Sequence, residues 1–331
     1  MNADFPSRIA ATIASCGAAM ALAAVPAPVS AQGYPSKPVR LVIPWAAGGS
    51  TDSIGRILAQ KLAEYTAQQW IVDNRAGATG TIGHALVAKA PPDGYTLLLG
   101  TNSTFAIAPH LYKNLQYDNE KSFAPISLVA ISPQILSVHP SLPVKTVKEL
   151  IALARARPNA ITFSTAGVGA TSHMATELLM NMAGVRMTHV PYKGGGPSAQ
   201  ALISGETALS FVDFITALPQ SQAGRLRMIA TSTAKRTSLM PELPTIAESG
   251  LPGFESITSF ALFAPAGAGA DIVTRINREA TKALAAADVK DKLRAQGIDP
   301  EGTTPEELTA HQKRETAKWG KVIREQGIKF E

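Results

Sequence analysis

One pattern recurs along most of this chain and narrows its fold more than any other feature. A short β-branched run is followed by a loop of glycine, serine and threonine, and then by a stretch with helical periodicity. "VRLVIPWAAGGSTD" leads into "SIGRILAQKLAEYTAQ", where Ile54, Ile57, Leu58, Leu62 and Tyr65 recur at the spacing that buries one helix face. "YTLLLGTNSTFAIAP" carries a fully apolar strand and then polar loop residues. "AITFSTAGVGATSHMATELLMNMAG" repeats the unit, with Met174, Leu178, Leu179 and Met182 as the buried stripe and Gly184 at the helix end. "MTHVPYKGGGPSAQALISG" and "ALSFVDFITALP" are further copies. Strands alternating with helices at this interval predict α/β domains with largely parallel sheets, whose ligand-facing loops lie at the carboxyl ends of the strands.

Two longer extended stretches interrupt the pattern. Ala124–Lys145 reads as two strand-like runs split by Pro133, and Gly253–Gly267 as a second crossing. Two crossings make an inserted domain within a discontinuous one, here residues 132–258 within 32–131 plus 259–331. Near the C-terminus "TTPEEL" is a helix start, with Thr304 and Glu307 as a capping box, and Trp319, Val322 and Ile323 would dock that helix.

The first residues have a different character. Arg8 precedes an uncharged, alanine-rich run from Ile9 to Val25, and "VSA" ends at Ala31; this is the layout of a secretory signal cleaved after residue 31. The run is shorter than the roughly 20 apolar residues of a spanning helix. The single cysteine, Cys16, lies inside it. "IASC" before Gly17 has the look of a lipid-attachment box, but only about seven uncharged residues precede it against the roughly 7–15 of an h-region. Removal with the signal is therefore expected, leaving a mature chain without thiol chemistry or disulfides. The net charge of +6 comes from scattered basic residues rather than a cluster, which excludes the footprint of a nucleic-acid binder.

Two glycine-rich loops stand out as a candidate site: "GGSTD" and "STAGVGATS". A helix begins with N–H groups that lack internal partners, at the positive end of its dipole. Glycine admits a ligand oxygen close to them, and Ser and Thr hydroxyls add donors. Such loops bind a carboxylate without arginine. The competing reading is an ordinary strand–helix turn in which Ser50 and Thr51 merely cap. Asp52 suits hydrogen bonding to loop N–H groups at the helix start. Asp213, between apolar residues in "FVDF", is either a buried structural acid or a ligand-facing acceptor. His173 reads as a loop-bracing or core histidine, Trp45 as a cleft wall or packing residue, and Lys193 as a solvated charge.

Enzyme motifs are missing. No phosphate-binding G-x-x-x-x-G-K-[ST] occurs, nor a G-x-S-x-G elbow, nor a dinucleotide G-x-G-x-x-G. The six histidines, at 84, 110, 139, 173, 189 and 311, show no metal-ligand spacing. No metal, cofactor or catalytic residue is expected, although a Ser50–His173–Asp213 triad can be drawn on paper.

The blocks "YPSKPVRLVIPWAAGGSTDSIGRILAQKL", "VDNRAGATGTIGHALVAKAPPDGYTLLLGT", "STAGVGATSHMATELL", "VPYKGGGPSAQALISG", "MPELPTIAESGLPGFE" and "FAPAGAGADIVTRIN" together resemble the Bug-type receptors of tripartite tricarboxylate transport systems. That resemblance runs from Tyr34 to Glu331. It implies a type II-like periplasmic binding protein fold: two Rossmann-like α/β lobes joined by two crossing strands, with the ligand cleft between them. It implies a periplasmic, monomeric receptor that hands a small carboxylate to membrane permease subunits. The ligand class spans di- and tricarboxylates, acidic amino acids and aromatic acids. By the same comparison the binding residues are Trp45, Ala47, Gly48, Gly49, Ser50, Thr51 and Asp52 in the first loop, Thr101, Asn102 and Ser103 after "LLLG", Ser164, Thr165, Gly169, Thr171 and His173 in the second loop, and Asp213. The chain departs from the family pattern at "SGETALSFVD", where relatives read "GGQVDLMFD", and at Ala108–Pro109 in place of an "NP" pair. The alternatives to a transport receptor are a secreted α/β hydrolase or lyase using the same cleft, and a ligand-sensing co-receptor.

Overall fold

The computed structural model describes residues 1, 33–237, 240–325 and 328. The expected signal segment, with Cys16 and the cleavage point after Ala31, lies outside the described residues apart from Met1.

The chain opens with β1 (Val39–Ile43), α1 (Ser50–Thr66), β2 (Trp70–Asn74), α2 (Thr81–Ala88) and β3 (Thr96–Thr101). A π-helical turn, Ser103–Ile107, and the short α3 (Ala108–Leu111) follow, where a polar loop was expected. The long β4 (Phe123–Val138) then enters a second group: α4 (Val147–Ala156), β5 (Thr162–Thr165), α5 (Thr171–Ala183), β6 (Thr188–Pro191), α6 (Gly195–Ile203), β7 (Leu209–Asp213), α7 (Phe214–Gln222) and β8 (Arg227–Thr231). Strand β9 (Ile257–Pro265) returns to the first group, completed by α8 (Ala270–Ala285), α9 (Ala287–Arg294), β10 (Asp299–Pro300) and α10 (Pro305–Glu325).

Hydrogen bonding links the strands in the order β2-β1-β3-β9-β4-β7-β5-β6, with β8 and β10 paired to β4 off this path. The outer pairs β1–β2, β1–β3, β5–β6 and β5–β7 are parallel as expected, while β9 pairs antiparallel with both β3 and β4. Strand β4 belongs to both halves. Up to Pro133 it pairs with β9, and from Gln134 it pairs with β7 and β8. The expected break at Pro133 is therefore absent, and one strand runs through. Proline removes a ladder donor, but it sits where the partner strand changes, and the next N–H, of Gln134, goes to the Ser232 hydroxyl at 2.9 Å.

Each half carries its own apolar core. In the first, Ile54, Leu58 and Leu62 of α1 are buried with β1, β3 and α8, and Ile57 and Tyr65 pack at the edge. Full burial of such side chains stabilises by roughly 1.5–3 kcal/mol apiece. In the second, Leu178 and Leu179 of α5 pack with Phe163, Phe211 and Phe254. Met174 departs from that stripe, because it is buried with Phe105 and Trp319 of the first half. Gly184 ends α5 at φ +63°, donating to the Asn181 and Met180 carbonyls. The capping box of α10 is formed: the Thr304 N–H donates to Glu307 at 2.9 Å and the Glu307 N–H to the Thr304 hydroxyl at 3.2 Å. Trp319 and Ile323 of that helix are buried and Val322 is partly so. Among the described residues, no helix is long and apolar enough to cross a membrane.

Candidate functional site

The first loop runs from the end of β1 to Ser50, the first residue of α1. Its N-cap residue, Gly49, is extended (φ −95°, ψ 177°) and supplies no capping side chain. The N–H groups that open α1 thus have no local cap. Gly48 adopts φ +90°, a conformation that favours glycine, and its N–H donates to Asp52 at 3.1 Å. Asp52 also accepts from Asn74 Nδ2 at 3.1 Å and from Arg56 Nε at 3.0 Å. Asn74 in turn donates to the Trp45 carbonyl at 3.1 Å. Asp52 therefore ties the turn to its own helix and to the end of β2. Burial alone would raise its pKa, but bonds from Arg56, Gly48 and Asn74 and the Arg56 charge together hold it below the usual carboxylate range. Ser50 does not cap; its hydroxyl donates to the Asp213 carboxyl, from the far half of the molecule.

The second loop joins β5 to α5. Here the braces are hydroxyls and imidazoles. Ser172 accepts the Ala166 N–H at 3.1 Å, and His173 Nδ1 accepts the Gly169 N–H at 3.2 Å. That bond requires Nδ1 to be unprotonated. The His173 ring stacks on His189 at 4.0 Å between centroids, and its Nε2 lies 3.3 Å from Glu177. His189 stacks in turn on Phe163 and bonds the Thr165 hydroxyl at 2.6 Å. Burial, assisted by His173, pushes the His189 pKa down to about 3. Ser164 donates to the Ser198 carbonyl at 2.9 Å.

Between the loops lies a cleft of about 650 Å³, part of it open to solvent. Of the residues singled out in the sequence, Trp45, Gly49, Ser50, Thr51, Thr101, Ser103, Thr171 and Asp213 line it. The others stand behind the wall: Ala47 and Gly48 on the outside of the turn, and Asp52, Asn102, Ser164, Thr165, Gly169 and His173 as supports. Sequence reasoning missed Gln134 of β4, Gly195 and Ser198 of α6, Phe211 and Val212 of β7, Thr216 of α7, and Thr258 and Phe260 of β9. The "KGGGPS" turn was a usable signal, but its lysine drew the attention: Lys193 faces an adjoining cavity beyond Trp45, while Gly195 and Ser198 face the cleft.

The second loop is drawn against the first half of the molecule. The Thr171 N–H donates to the Ser103 hydroxyl at 3.0 Å and the Thr171 hydroxyl to Asn102 Oδ1 at 3.1 Å. Thr79 and Tyr112 both donate to the Val168 carbonyl, at 2.6 and 2.9 Å. Three polar atoms of the lining residues, Trp45 Nε1, Thr101 Oγ1 and Gln134 Oε1, are buried without a hydrogen-bond partner. Each such atom costs about 1–3 kcal/mol unless something satisfies it. No Lys, Arg or His belongs to the lining, and Asp213 is its one carboxylate. Burial raises the Asp213 pKa, an effect only partly offset by the hydroxyl and N–H of Ser50. The triad drawn from the sequence reduces to Ser50 and Asp213, since the lining does not include His173. Among the described residues, no group of three or more His, Cys, Asp or Glu could hold a metal ion.

This architecture has close relatives. A family model described as tripartite tricarboxylate transporter family receptor matches residues 54–328. Protein BugT of Bordetella pertussis (strain Tohama I) is 35% identical, over 96% of this chain and 98% of its own. The R. palustris protein Rpa4515, solved with adipate, superposes with a TM-score of 0.87 at 38% identity, covering 89% of this chain and 99% of that one. MatC of Rhodopseudomonas palustris, solved with bound malate, gives a TM-score of 0.83 at 31% identity, covering 88% and 100% respectively.

Proposed function

The chain belongs to the tripartite tricarboxylate transporter receptor family, and from that premise we propose that it is an exported, periplasmic receptor that closes two lobes around a small carboxylate and presents the closed form to membrane permease subunits. In this reading residues 32–131 and 259–331 form one lobe and 132–258 the other. They hinge where β4 changes partner at Pro133–Gln134 and where the chain enters β9. Hinge closure of this kind is driven by contacts the ligand makes only in the closed state.

One observation carries the reading. The cleft is walled by the starts of α1 and α5, whose N-cap residues supply no capping side chain, and by buried polar atoms that lack partners, with no cationic side chain. A carboxylate held by main-chain N–H groups gains roughly 1.5–3 kcal/mol per charged hydrogen bond, and three or four of these supply much of the roughly 8 kcal/mol of a micromolar complex. Gly49, Ser50, Thr51 and Ser172 are the residues assigned to that grip, and Trp45, Thr101 and Gln134 to the remainder of the ligand. The adipate and malate held by the two R. palustris relatives make a diacid the first ligand class to try.

Catalysis is not part of the proposal. The Ser50 hydroxyl is committed to a carboxyl group, and no imidazole lines the cleft to activate it. The direct test is mass spectrometry of small molecules released by denaturing freshly purified protein, followed by thermal shifts against a carboxylate panel. A retained or stabilising acid is the expected result. Turnover of carboxylic esters or acids by the protein would sink the receptor reading in favour of a hydrolase or lyase.

A further inference from the structure

The contact between Ser50 and Asp213 places a carboxyl group of the protein where a ligand's carboxylate is expected. Asp213 ends β7 and reaches across the cleft to the first residue of α1, taking the Ser50 hydroxyl proton in a hydrogen bond. On its other side lies the start of α6, where a Cβ built on Gly195 would stand 3.7 Å from Asp213 Oδ2. The group therefore sits between two helix N-termini, the electrostatic setting that anions favour. Among the described residues, no cationic group acts on it. The lining contributed by α1, β3, β4, α5, α6, α7 and β9 holds no other titratable carboxylate, imidazole, ammonium or guanidinium. The nearest acid along the chain from Ser50, Asp52, is already engaged by Arg56, Asn74 and the Gly48 N–H.

We propose that Asp213 is a built-in counter-carboxylate: it occupies the first-loop cradle, and a ligand carboxylate shares that cradle only with a protonated Asp213, so that capture takes up one proton. This rests on the carboxylate-receptor reading above and deepens it. Two carboxylates at hydrogen-bond range in a site without cations cannot both stay ionised. When the ligand enters, a proton from solvent converts the Asp213 carboxylate to the acid, whose O–H then donates to the ligand carboxylate. The burial that already raises the Asp213 pKa works in the same direction. The ligand would thus bind more tightly as pH falls, as long as its own carboxylate remains ionised. Acids that carry a hydroxyl or ammonium donor beside the carboxylate would depend less on that proton, because the donor can satisfy an ionised Asp213.

The test is isothermal titration calorimetry of the full-length mature protein with acetate, malate and adipate, from pH 6 to 9, in phosphate and in Tris. These buffers differ in ionisation enthalpy, so the heats report protons taken up. For wild type the expected results are an acetate or adipate dissociation constant rising up to tenfold per pH unit and an uptake approaching one proton. The pH dependence for malate should be shallower. Asp213→Asn should bind with little pH dependence and no proton uptake, and at pH 9 at least as tightly as wild type. A flat pH profile without proton uptake in wild type overturns the proposal and leaves the receptor reading intact; this measurement needs no variant. Loss of all binding in a folded Asp213→Asn, checked by far-ultraviolet circular dichroism, also overturns it, since Asp213 would then be an obligatory acceptor. If no acid binds either protein at any pH, the receptor reading falls and this inference falls with it.

Discussion

The two glycine-rich loops share one sequence grammar, strand then Gly/Ser/Thr then helix, and are held in shape by different chemistry. The first is braced by a carboxylate: Asp52 gathers the Gly48 N–H, Asn74 and Arg56. The second is braced by hydroxyl and imidazole groups: Ser172 holds Ala166, and the stacked His173 and His189 hold Gly169 and Thr165. They also differ in what they have left to offer. Thr171 of the second loop already spends its N–H and hydroxyl on Ser103 and Asn102 of the opposite half. In the first loop, Gly49 brings no capping side chain, and Ser50 is engaged only by Asp213. A similar turn thus meets the opposite half through the Ser50 contact with Asp213 on one side and through the Thr171 N–H and hydroxyl on the other. The sharper test of the site lies in treating the two unequally.

The largest effect should come from the first brace. Asp52→Ala takes a partner from the half-buried Asn74 amide nitrogen, the Gly48 N–H and the Arg56 guanidinium at once, and hydrogen bonds to charged groups are worth about 1.5–3 kcal/mol net. A loss of about 3 kcal/mol in urea unfolding is expected, together with weaker ligand binding; a loss below 1 kcal/mol would mean that the loop holds itself. Next comes Gly49→Pro, which deletes a donor and stiffens the turn at a position where an added Cβ meets no neighbour. It should abolish the stabilisation of about 2.7 kcal/mol that a ligand at 100 times its dissociation constant confers, read as a thermal shift. Unchanged shifts would remove the first loop from the grip.

For the second loop, Thr171→Val keeps the shape and loses the hydroxyl bond to Asn102. The contact between the second loop and the opposite half should weaken by about 1 kcal/mol, seen by small-angle scattering as a larger radius of gyration. An unaltered radius would show that Thr79 and Tyr112 suffice.

The smallest effect is in pH. The His189 pKa is lowered to about 3, so the neutral ring contributes stability that is full above the unfolded value near 6.5 and falls away as pH drops from there toward 3. The Asp52 pKa is also lowered, and its contribution is lost only as pH falls below the ordinary carboxylate value near 4. Acidification should therefore loosen the second loop before the first. Because His189 is partly exposed, its share should stay below about 1 kcal/mol between pH 7.5 and 5.5. Thermal unfolding of His189→Gln against wild type across that range should differ in slope by this amount. Identical slopes would deny the imidazole stack any part in bracing.

Much of the architecture was legible in the chain. The stripe Ile54, Leu58 and Leu62, the stop at Gly184 and the Thr304–Glu307 box are local patterns, and local patterns need only neighbouring residues to be satisfied. Asp52 was legible for the same reason, since its partner Gly48 is four residues away. The pairing of Ser50 with Asp213 was not, because its two members lie 163 residues apart. Nor was the continuity of β4 through Pro133, which depends on where β9 gives way to β7 as its partner.

Periodicity and turn chemistry thus determined that this chain alternates strands and helices and that two of its strand–helix turns are rich in glycine and hydroxyl residues. Tertiary structure alone decided which of the loop hydroxyls bond the opposite half, that Met174 joins the opposite core, and that Gln134, Gly195, Ser198 and Thr258 complete the cleft. The physical reason is that helix and turn signals are short-range, whereas a cleft wall is built from strand and helix ends whose meeting depends on sheet order.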